Sequence, residues 1–457
     1  MYEKELAVVD RNAARINSIS DKIWDLAELP YCEYESSALL QSELEKEGFK
    51  ITRNVADIPT AFTATYGSGS PKMGILAEFD ALPDLSQEAN VTEPRPRAGT
   101  NNGHGCGHHL FAGGSFGAAL AVKAHIDATG KGSVTLFGCP AEEGGAGKVF
   151  MARKHVFNDT DAIVSWHPEK MYMPRTRPSL ANIMVDYAFK GLAAHAGGSP
   201  QKGRSALDAV TLMNVGANFL REHMDLTSRI HYAVIDTGGE APNIVQSHAK
   251  VRYLIRAVTS EDVRILRERV DRIAQGAAMM TDTEVTATVL TAYSNLITIP
   301  TLQQTAYEMM KDIPVPVPTE DELAFGRALR ETMPLTAEEK KDSVYATEVL
   351  VPAPPKPHGG STDTSDVSWN CPTLQLHIGT WVKGTPGHSW QMVAQGKSSY
   401  AHKATVYASK AVAATIMRVM DEPERLAKIK AEHAERAVGG YVCPIPDDIQ
   451  PPIPERK

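Results

Sequence analysis

The sequence predicts an α/β fold in two domains, a catalytic domain with a mostly parallel central sheet and an inserted ferredoxin-like domain. Three observations predict it. The chain has 457 residues, too many for one ordinary hydrophobic core. Its first part alternates apolar, strand-like segments with helix-like segments. Residues 182–296 instead follow the order β-α-β-β-α-β.

The first part of the chain is predicted to form helices and buried strands in alternation. Apolar spacing predicts a helix over residues 3–29 and another over residues 36–47, closed by Gly48. A small-residue helix over residues 110–123 is apolar on nearly all sides and is expected to be buried. Short apolar runs predict strands at residues 73–79, 133–138 and 162–166. This alternation predicts a sheet covered by helices on both faces.

The middle of the chain has a different pattern. Strands are predicted at residues 182–190, 229–236, 249–257 and 284–290, and helices at 204–223 and 260–280. We therefore predict a second, ferredoxin-like domain over residues 182–296, inserted between two parts of the first domain, residues 1–181 and 297–440. Two Pro-rich stretches, residues 313–318 and 351–357, are expected to be surface loops, and the Pro-rich tail, residues 441–457, is expected to pack poorly.

Charge and cysteine content exclude several classes of protein. The net charge is −8 and no long basic run occurs, which disfavours nucleic acid and anionic membranes as partners. Five cysteines, an odd and sparse set, fit a reducing compartment rather than a disulfide scaffold. No apolar stretch approaches the length of a membrane span, and the N-terminal residues lack an apolar signal core. A cytoplasmic location is expected.

Candidate metal ligands follow the predicted strands, where parallel sheets carry their functional loops. The densest group is residues 103–109, which contain Cys106 and three histidines. A thiol and an imidazole two residues apart in a glycine-dense loop can face one divalent ion. The spacing alone does not choose among His104, His108 and His109.

Paired carboxylates follow the next strand. Glu142 and Glu143 lie between Pro140 and a glycine-rich run, so a solvated helix start is the less favoured interpretation. Neighbouring side chains diverge, so one carboxylate can bind a metal while the other accepts a proton from an activated water.

Three further side chains lie at the ends of apolar segments or in tight loops. His167 and His388 each offer one imidazole. Asp80 closes the first buried strand and is expected either to bind metal or to orient a ligating histidine.

The predicted second domain has its own polar cluster. His195 lies in a loop of small residues, and Asn243 and Arg256 follow on the adjacent hairpin. An arginine on a strand is usually solvated, but it can also hold a substrate carboxylate in a bidentate contact.

Five ordered motifs resemble the aminoacylase and glutamate carboxypeptidase family of two-metal amidohydrolases, in the branch of auxin-conjugate and hippurate hydrolases. The resemblance runs from about residue 15 to residue 420. The motifs are Glu-Phe-Asp-Ala-Leu-Pro from residue 78, Gly-His-Gly-Cys-Gly-His from 103, Pro-Ala-Glu-Glu-Gly-Gly-Ala-Gly from 140, Ala-His-Ala-Gly-Gly-Ser-Pro from 194 and Ala-Pro-Asn-Ile-Val-Gln-Ser-His from 241.

The resemblance implies a role for each matching residue. The implied ligands of two divalent ions, zinc or manganese, are Cys106, His108, Glu143, His167 and His388. Glu142 is implied to be the general base. His195 is implied to reach the partner subunit's site and stabilise the oxyanion. Asn243 and Arg256 are implied to contact the C-terminal half of the substrate, again across the dimer. The branch commonly has Asp or Asn where this chain has His109.

The predicted reaction is hydrolysis of an amide joining an acyl or aroyl group to an amino acid, with p-aminobenzoyl-glutamate as the specific candidate. The inserted domain is implied to form a homodimer, and a second, homologous subunit is an alternative partner. Two rivals remain open: a dipeptidase on the same scaffold, and a non-catalytic or regulatory subunit.

Overall fold

The computed structural model describes residues 1–352 and 360–455. The helices within these ranges are α1 (Glu3–Arg11), α2 (Ala13–Leu26), α3 (Tyr34–Lys46), α4 (His108–Thr129), α5 (Gly147–Arg153), α6 (Ala206–Leu220), α7 (Ser260–Thr281), α8 (Pro300–Asp312), α9 (Glu320–Arg330), α10 (Thr364–Asn370), α11 (Trp390–Gln395), α12 (Ser399–Asp421) and α13 (Pro423–Arg436). The strands are β1 (Lys50–Arg53), β2 (Phe62–Gly67), β3 (Lys72–Ala77), β4 (Ser133–Gly138), β5 (Ala162–Glu169), β6 (Met173–Pro174), β7 (Ala181–Lys190), β8 (Arg229–Asp236), β9 (His248–Ala257), β10 (Glu284–Tyr293) and β11 (Thr373–Gly379).

A seven-stranded sheet organises the larger part of the molecule. Its strand order is β1-β2-β4-β3-β5-β11-β6. The four central strands, β4, β3, β5 and β11, run parallel, and antiparallel strands flank them on both sides. The carboxyl ends of β3, β4, β5 and β11 therefore lie along one edge, where loops from distant parts of the sequence meet.

Helix α4 fills the space between this sheet and helices α2 and α12, and its first residues are buried without exception from His108 to Val122. Glycines allow the close approach: a Cβ at Gly114 would lie 2.5 Å from the ring of Trp166. Although α4 is strongly apolar, no helix in the described ranges has both the length and the hydropathy that a bilayer span requires. Its apolar surface is instead covered by other helices and by the sheet.

A second, four-stranded antiparallel sheet is built from residues 181–293. Its order is β10-β7-β9-β8, and helices α6 and α7 pack on it. Strand β8 lies at an edge, and most of its side chains are exposed. The elements follow one another as β-α-β-β-α-β along this stretch.

Most of the predicted elements are present, with shifted ends. Strands 133–138 and 229–236 are confirmed to the residue, and the buried helix predicted at 110–123 is longer at both ends. The helix predicted over 3–29 is wrong as one element, because Asn12 leaves helical geometry and separates α1 from α2. Of the predicted loop at 351–357, residues 353–357 lie outside the described ranges.

The expectation of a poorly packed tail is wrong for its first half. The Tyr441 hydroxyl donates to Asp366 at 3.0 Å, and Ile445 is 1% exposed. Arg153 of α5 donates to the carbonyls of Pro446 and Ile449. Proline has a carbonyl acceptor but no backbone N–H, so it cannot donate to a sheet. The segment instead accepts hydrogen bonds from the side chain of Arg153.

Candidate active site

Six predicted site residues converge at the carboxyl edge of the large sheet. Cys106, His108 and His167 each offer a ligand atom within 4.8 Å of the others, and so do Cys106, Glu143 and His388. Cys106 belongs to both groups. Each group could hold one metal ion, and two ions bound in this way would share the thiolate of Cys106.

Asp80 fixes the orientation of His108. The Nδ1 of His108 lies 2.8 Å from Asp80 Oδ1, and because an aspartate oxygen can only accept, Nδ1 carries the hydrogen. Nε2 is then the ring atom that could bind a metal ion. Such an ion would displace a proton, because burial lowers the pKa of His108 but the nearby charges, first that of Asp80, raise it well above its usual value. Of the two sequence interpretations of Asp80, the geometry favours orientation of a ligand.

His167 is held in the same way by the main chain. Its Nδ1 lies 2.8 Å from the carbonyl oxygen of Pro168, so Nδ1 donates and Nε2 faces the Cys106 sulfur at 3.4 Å. Burial raises the pKa of the Cys106 thiol. A divalent ion reverses this effect, because a coordinated thiol is deprotonated.

The donor set fits a pair of divalent ions. The buried atoms His108 Nε2 and Glu143 Oε1 make no hydrogen bond within the described residues, although Glu78 Oε2 lies 3.2 Å from His108 Nε2. Nitrogen and oxygen lone pairs at that distance repel unless a proton or a cation lies between them. Glu143 Oε1 also lies 3.5 Å from His388 Nε2. Thiolate, imidazole and carboxylate donors together suit zinc and related transition metals.

Glu142 provides a second carboxylate beside these ligands. One of its oxygens lies within 4.8 Å of ligand atoms of His108 and Glu143. Burial raises the pKa of Glu142 well above its usual value, and the negative charges of Glu78 and Asp363 add to the shift. A carboxylate with a raised pKa is a stronger base, which suits proton transfer near neutral pH.

A tightly turned loop after β4 presents the two glutamates. Ala141 and Ala146 both have positive φ angles, 58° and 59°, in a region that disfavours side chains. The carboxylate of Glu33 accepts a hydrogen bond from the Ala141 backbone at 2.8 Å, and the Tyr31 hydroxyl donates to the Gly145 carbonyl. Hydrogen bonds with residues outside the loop therefore stabilise its strained backbone conformation.

The two remaining histidines of the glycine-rich loop have structural contacts instead. His104 Nε2 lies 3.0 Å from the carbonyl of Ile23, and His109 Nε2 lies 2.9 Å from that of Gly396. Burial lowers the pKa of both rings, to about 4 for His104. Both rings are neutral and face away from the ligand groups, so the structure favours His108 among the three histidines.

A buried ion-pair network behind the site was missed by sequence reasoning. Lys148 Nζ, fully buried in α5, lies 2.5 Å from Asp363 Oδ1 and 2.7 Å from Glu78 Oε1. The other oxygen of Glu78 lies 3.2 Å from His108 Nε2. Lys148 follows Glu143 by five residues, but Asp363 is 215 residues from Lys148 along the chain, so no local pattern indicates the pair.

The ligands open into a cavity of about 520 Å³, within the size range of small-molecule sites. Besides the ligands, its lining includes Arg175, Gln375 and Ser361. Arg256 borders it from the second sheet, where its Nη1 donates to the Ser361 hydroxyl at 2.9 Å. The predicted substrate-binding arginine is thus close to the cavity of its own chain.

His195 and Asn243 do not line this cavity. Both are exposed and lie side by side on the second sheet's loops, where Ala196 N donates to the Asn243 carbonyl at 2.9 Å. His195 Nδ1 accepts from the backbone of Gly197 and Gly198 at 3.2 and 3.0 Å. The neutral ring therefore carries its hydrogen on Nε2, which points away from these contacts.

A family model described as peptidase family M20/M25/M40 matches residues 74–314. Over 468 residues, the chain is 41% identical to one of the subunits of p-aminobenzoyl-glutamate hydrolase from Escherichia coli (strain K12), and 97% of each chain is covered. It is 27% identical over 443 residues to Xaa-Arg dipeptidase of Mus musculus, covering 93% of this chain and 90% of that one.

Solved structures show the same fold. A dinuclear metal binding peptidase of the M20 family from Bacillus subtilis matches with a TM-score of 0.61 at 18% identity, covering 90% of this chain and 99% of that chain. The predicted mixed α/β fold with a large, mostly parallel sheet is confirmed.

Replacing Lys148 by Met is expected to lower the free energy of unfolding by about 3–5 kcal/mol, because Glu78 and Asp363 are left buried without a cation. Adding Asp363→Asn should recover part of the loss by removing one uncompensated charge. Urea unfolding of the wild type, both single variants and the double variant measures the coupling. Additive effects would contradict the network.

Proposed function

Because the chain belongs to peptidase family M20/M25/M40 and is a hydrolase of that family, we propose that it cleaves the amide bond between an acyl or aroyl group and an amino acid. The proposal rests on one observation: Cys106 belongs to two candidate metal-ligand groups, and the carboxylate of Glu142 lies close to two of their members, His108 and Glu143. A relative of nearly equal length, 41% identical, is named for p-aminobenzoyl-glutamate hydrolysis. We propose this compound as the substrate.

The proposed ligands are Cys106, His108, Glu143, His167 and His388. Two divalent ions bound there would polarise the amide carbonyl and acidify a water molecule. We propose zinc, with manganese as the alternative, because the shared thiolate favours a borderline-soft ion.

In the proposed reaction, Glu142 moves the proton. Its carboxylate accepts a proton from the attacking water and later delivers it to the leaving nitrogen of the amino acid. Arg256 binds the amino-acid half through the α-carboxylate in the cavity of its own chain, and Asn243, which does not line that cavity, contacts the amino-acid half in the partner's site. The buried position of Glu142 supports this role, since a carboxylate with a raised pKa holds the proton long enough to pass it on.

We further propose that residues 182–296 form an inserted, ferredoxin-like dimerisation domain between two parts of the catalytic domain. The exposed edge strand β8 supports this, because unpaired strand edges favour pairing with a second chain. Exposed apolar side chains lie on the same unit, among them Tyr232, Val234 and Phe219.

In such a homodimer, His195 would donate its Nε2 hydrogen to the oxyanion in the partner's site. Its exposed position and its backbone-held Nδ1 support this role. A second, homologous subunit is the alternative partner, since the 41% identical relative is named as one subunit of its enzyme. Five free cysteines support the proposed cytoplasmic location.

Metal-loaded protein is expected to release p-aminobenzoate from p-aminobenzoyl-glutamate, with a chelator abolishing the activity and zinc, manganese or cobalt restoring it. The assay compares this substrate with hippurate, an auxin–aspartate conjugate and a β-alanyl dipeptide with a basic residue. Cleavage of the dipeptide alone would favour the dipeptidase alternative. Inactivity on all four, with two ions bound, would favour a non-catalytic subunit.

Glu142→Gln is expected to lower kcat by about 10²–10⁴-fold, because the amide cannot accept the proton from water. The variant should keep the wild-type metal content, measured by elemental analysis after dialysis. Glu143→Gln is the matched comparison, since it neutralises the adjacent carboxylate and should lose metal. Retained turnover in Glu142→Gln would overturn its role as base.

A mixture of two inactive variants tests the shared site. Glu142→Gln and His195→Ala homodimers should each be inactive. Random exchange of an equal mixture makes half of the dimers mixed. Each mixed dimer has one complete site, formed by Glu142 of one chain and His195 of the other, so about a quarter of wild-type activity should return. The folded state of His195→Ala is checked by circular dichroism. No recovery, although light scattering of differently tagged chains proves exchange, would contradict a site built from two chains.

A further inference from the structure

A guanidinium in the cavity has no acidic partner among the residues that the structure describes. Arg175 follows strand β6 and lines the same cavity as Cys106, Glu142 and His388. Within the described ranges, no carboxylate oxygen lies within 4.0 Å of its nitrogens. Arg175 is half-buried, and charged groups withdrawn from water are normally paired, so this arginine requires an explanation.

Contacts hold Arg175 in place without neutralising it. Its Nη1 donates to Gln375 Oε1 at 2.8 Å, and its Nε lies 3.4 Å from the carbonyl of Arg177. Gln375 is itself 5% exposed, on β11. The backbone adds a third contact, because Arg175 N donates to the Gln375 carbonyl at 2.9 Å. The side chain is therefore oriented before any ligand arrives, which lowers the entropy cost of binding.

The remaining donor groups of this guanidinium lack a neutralising anion. Burial lowers the pKa of Arg175, and the negative charges of Glu169, Glu142 and Glu78 oppose that shift only from a distance. Glu142 belongs to the proposed proton-transfer machinery, so it is not available as a permanent counter-ion. A planar, half-buried guanidinium that faces a cavity is suited to bind a carboxylate in a bidentate contact.

A second cation bordering the cavity already has a proposed ligand. Arg256 reaches Ser361 from the second sheet, where it would hold the α-carboxylate of the amino-acid half. A substrate with one carboxylate would leave Arg175 unmatched. A substrate with two carboxylates could contact both arginines.

We propose that Arg175 binds the side-chain carboxylate of an acidic amino acid in the substrate, and so selects N-acyl derivatives of glutamate over those of neutral or basic amino acids. This inference rests on the proposed amide hydrolysis and adds the residue that determines its specificity. The alternative, that Arg175 contacts the acyl half, predicts no dependence on the charge of the amino-acid side chain.

The test compares p-aminobenzoyl-glutamate with p-aminobenzoyl-glutamine, which has the same shape but no side-chain charge. In Arg175→Gln, kcat/KM for the glutamate compound should fall by about 100-fold, while that for the glutamine compound should change by less than about threefold. Arg175→Lys should restore part of the preference. Equal losses on both compounds, or no loss on either, would overturn the proposal.

Arg177→Gln is the matched control. Arg177 lies two residues away, lines the same cavity and is exposed, so its removal takes away the same charge without the proposed contact. In Arg177→Gln, the ratio of kcat/KM for the glutamate compound to that for the glutamine compound should stay within about twofold of the wild-type ratio, because exposed charges are screened by salt. If Arg177→Gln and Arg175→Gln lost the preference for the glutamate compound equally, the preference would come from the overall positive charge of the cavity. That result would overturn direct binding of the side-chain carboxylate by Arg175.

A binding measurement separates failure of this inference from failure of the proposed reaction. Zinc-loaded Glu142→Gln protein is titrated calorimetrically with each compound, with and without Arg175→Gln. Tighter binding of the glutamate compound that is lost with Arg175 supports the inference, even if the wild type cleaves neither compound and the reaction proposal falls. Equal affinities, or no binding of either compound, would overturn it.

Discussion

The carboxylate of Asp80 holds the site together. One oxygen accepts from His108 Nδ1, and the other accepts from the backbone of Glu143, both at 2.8 Å. It thereby joins the loop after β3 to the start of α4 and to the loop after β4. Burial alone would raise the pKa of Asp80, but these two contacts lower it, so the group remains an anion that both neighbours need. The ring of His108 and the backbone of Glu143 are placed relative to one another through this one side chain.

The cavity combines acidic and basic groups. Glu142 and Glu143 line it, and carboxylates suit divalent cations, whose charge offsets the repulsion between them. Arg175 lines the same cavity, and Arg256 borders it through Ser361, and guanidinium groups suit an anion. A substrate that is neutral at its amide and negative at one end matches these two kinds of charge.

The sequence predicted the ligand cluster because its residues follow apolar strands, and parallel strands bring their carboxyl ends to one edge. Cys106, Glu143 and His388 meet as that rule implies. The rule could not select one histidine from residues 103–109. That choice depends on α4 beginning at His108, which turns this ring toward Asp80 and leaves His104 and His109 against backbone carbonyls.

Other features were beyond a local pattern. Lys148 and Asp363 pair across a long stretch of chain, and Arg175 follows a strand of two residues that no periodicity could indicate. Asn12 divides a helix whose apolar spacing continues on both sides, because its side chain bonds the carbonyl of Val8. The ion pair and the position of Arg175 depend on contacts between residues that lie far apart in the sequence. Patterns within one stretch of sequence carry no information about such contacts.

The wide spacing of the proposed ligands along the chain has a consequence for folding. Cys106 and His388 share one ligand group although they lie far apart in the sequence. An unfolded chain does not hold these side chains together, so an ion that bound them would bind the folded state in preference and stabilise it. Such an ion would cross-link two loops that the polypeptide itself connects only through most of a domain.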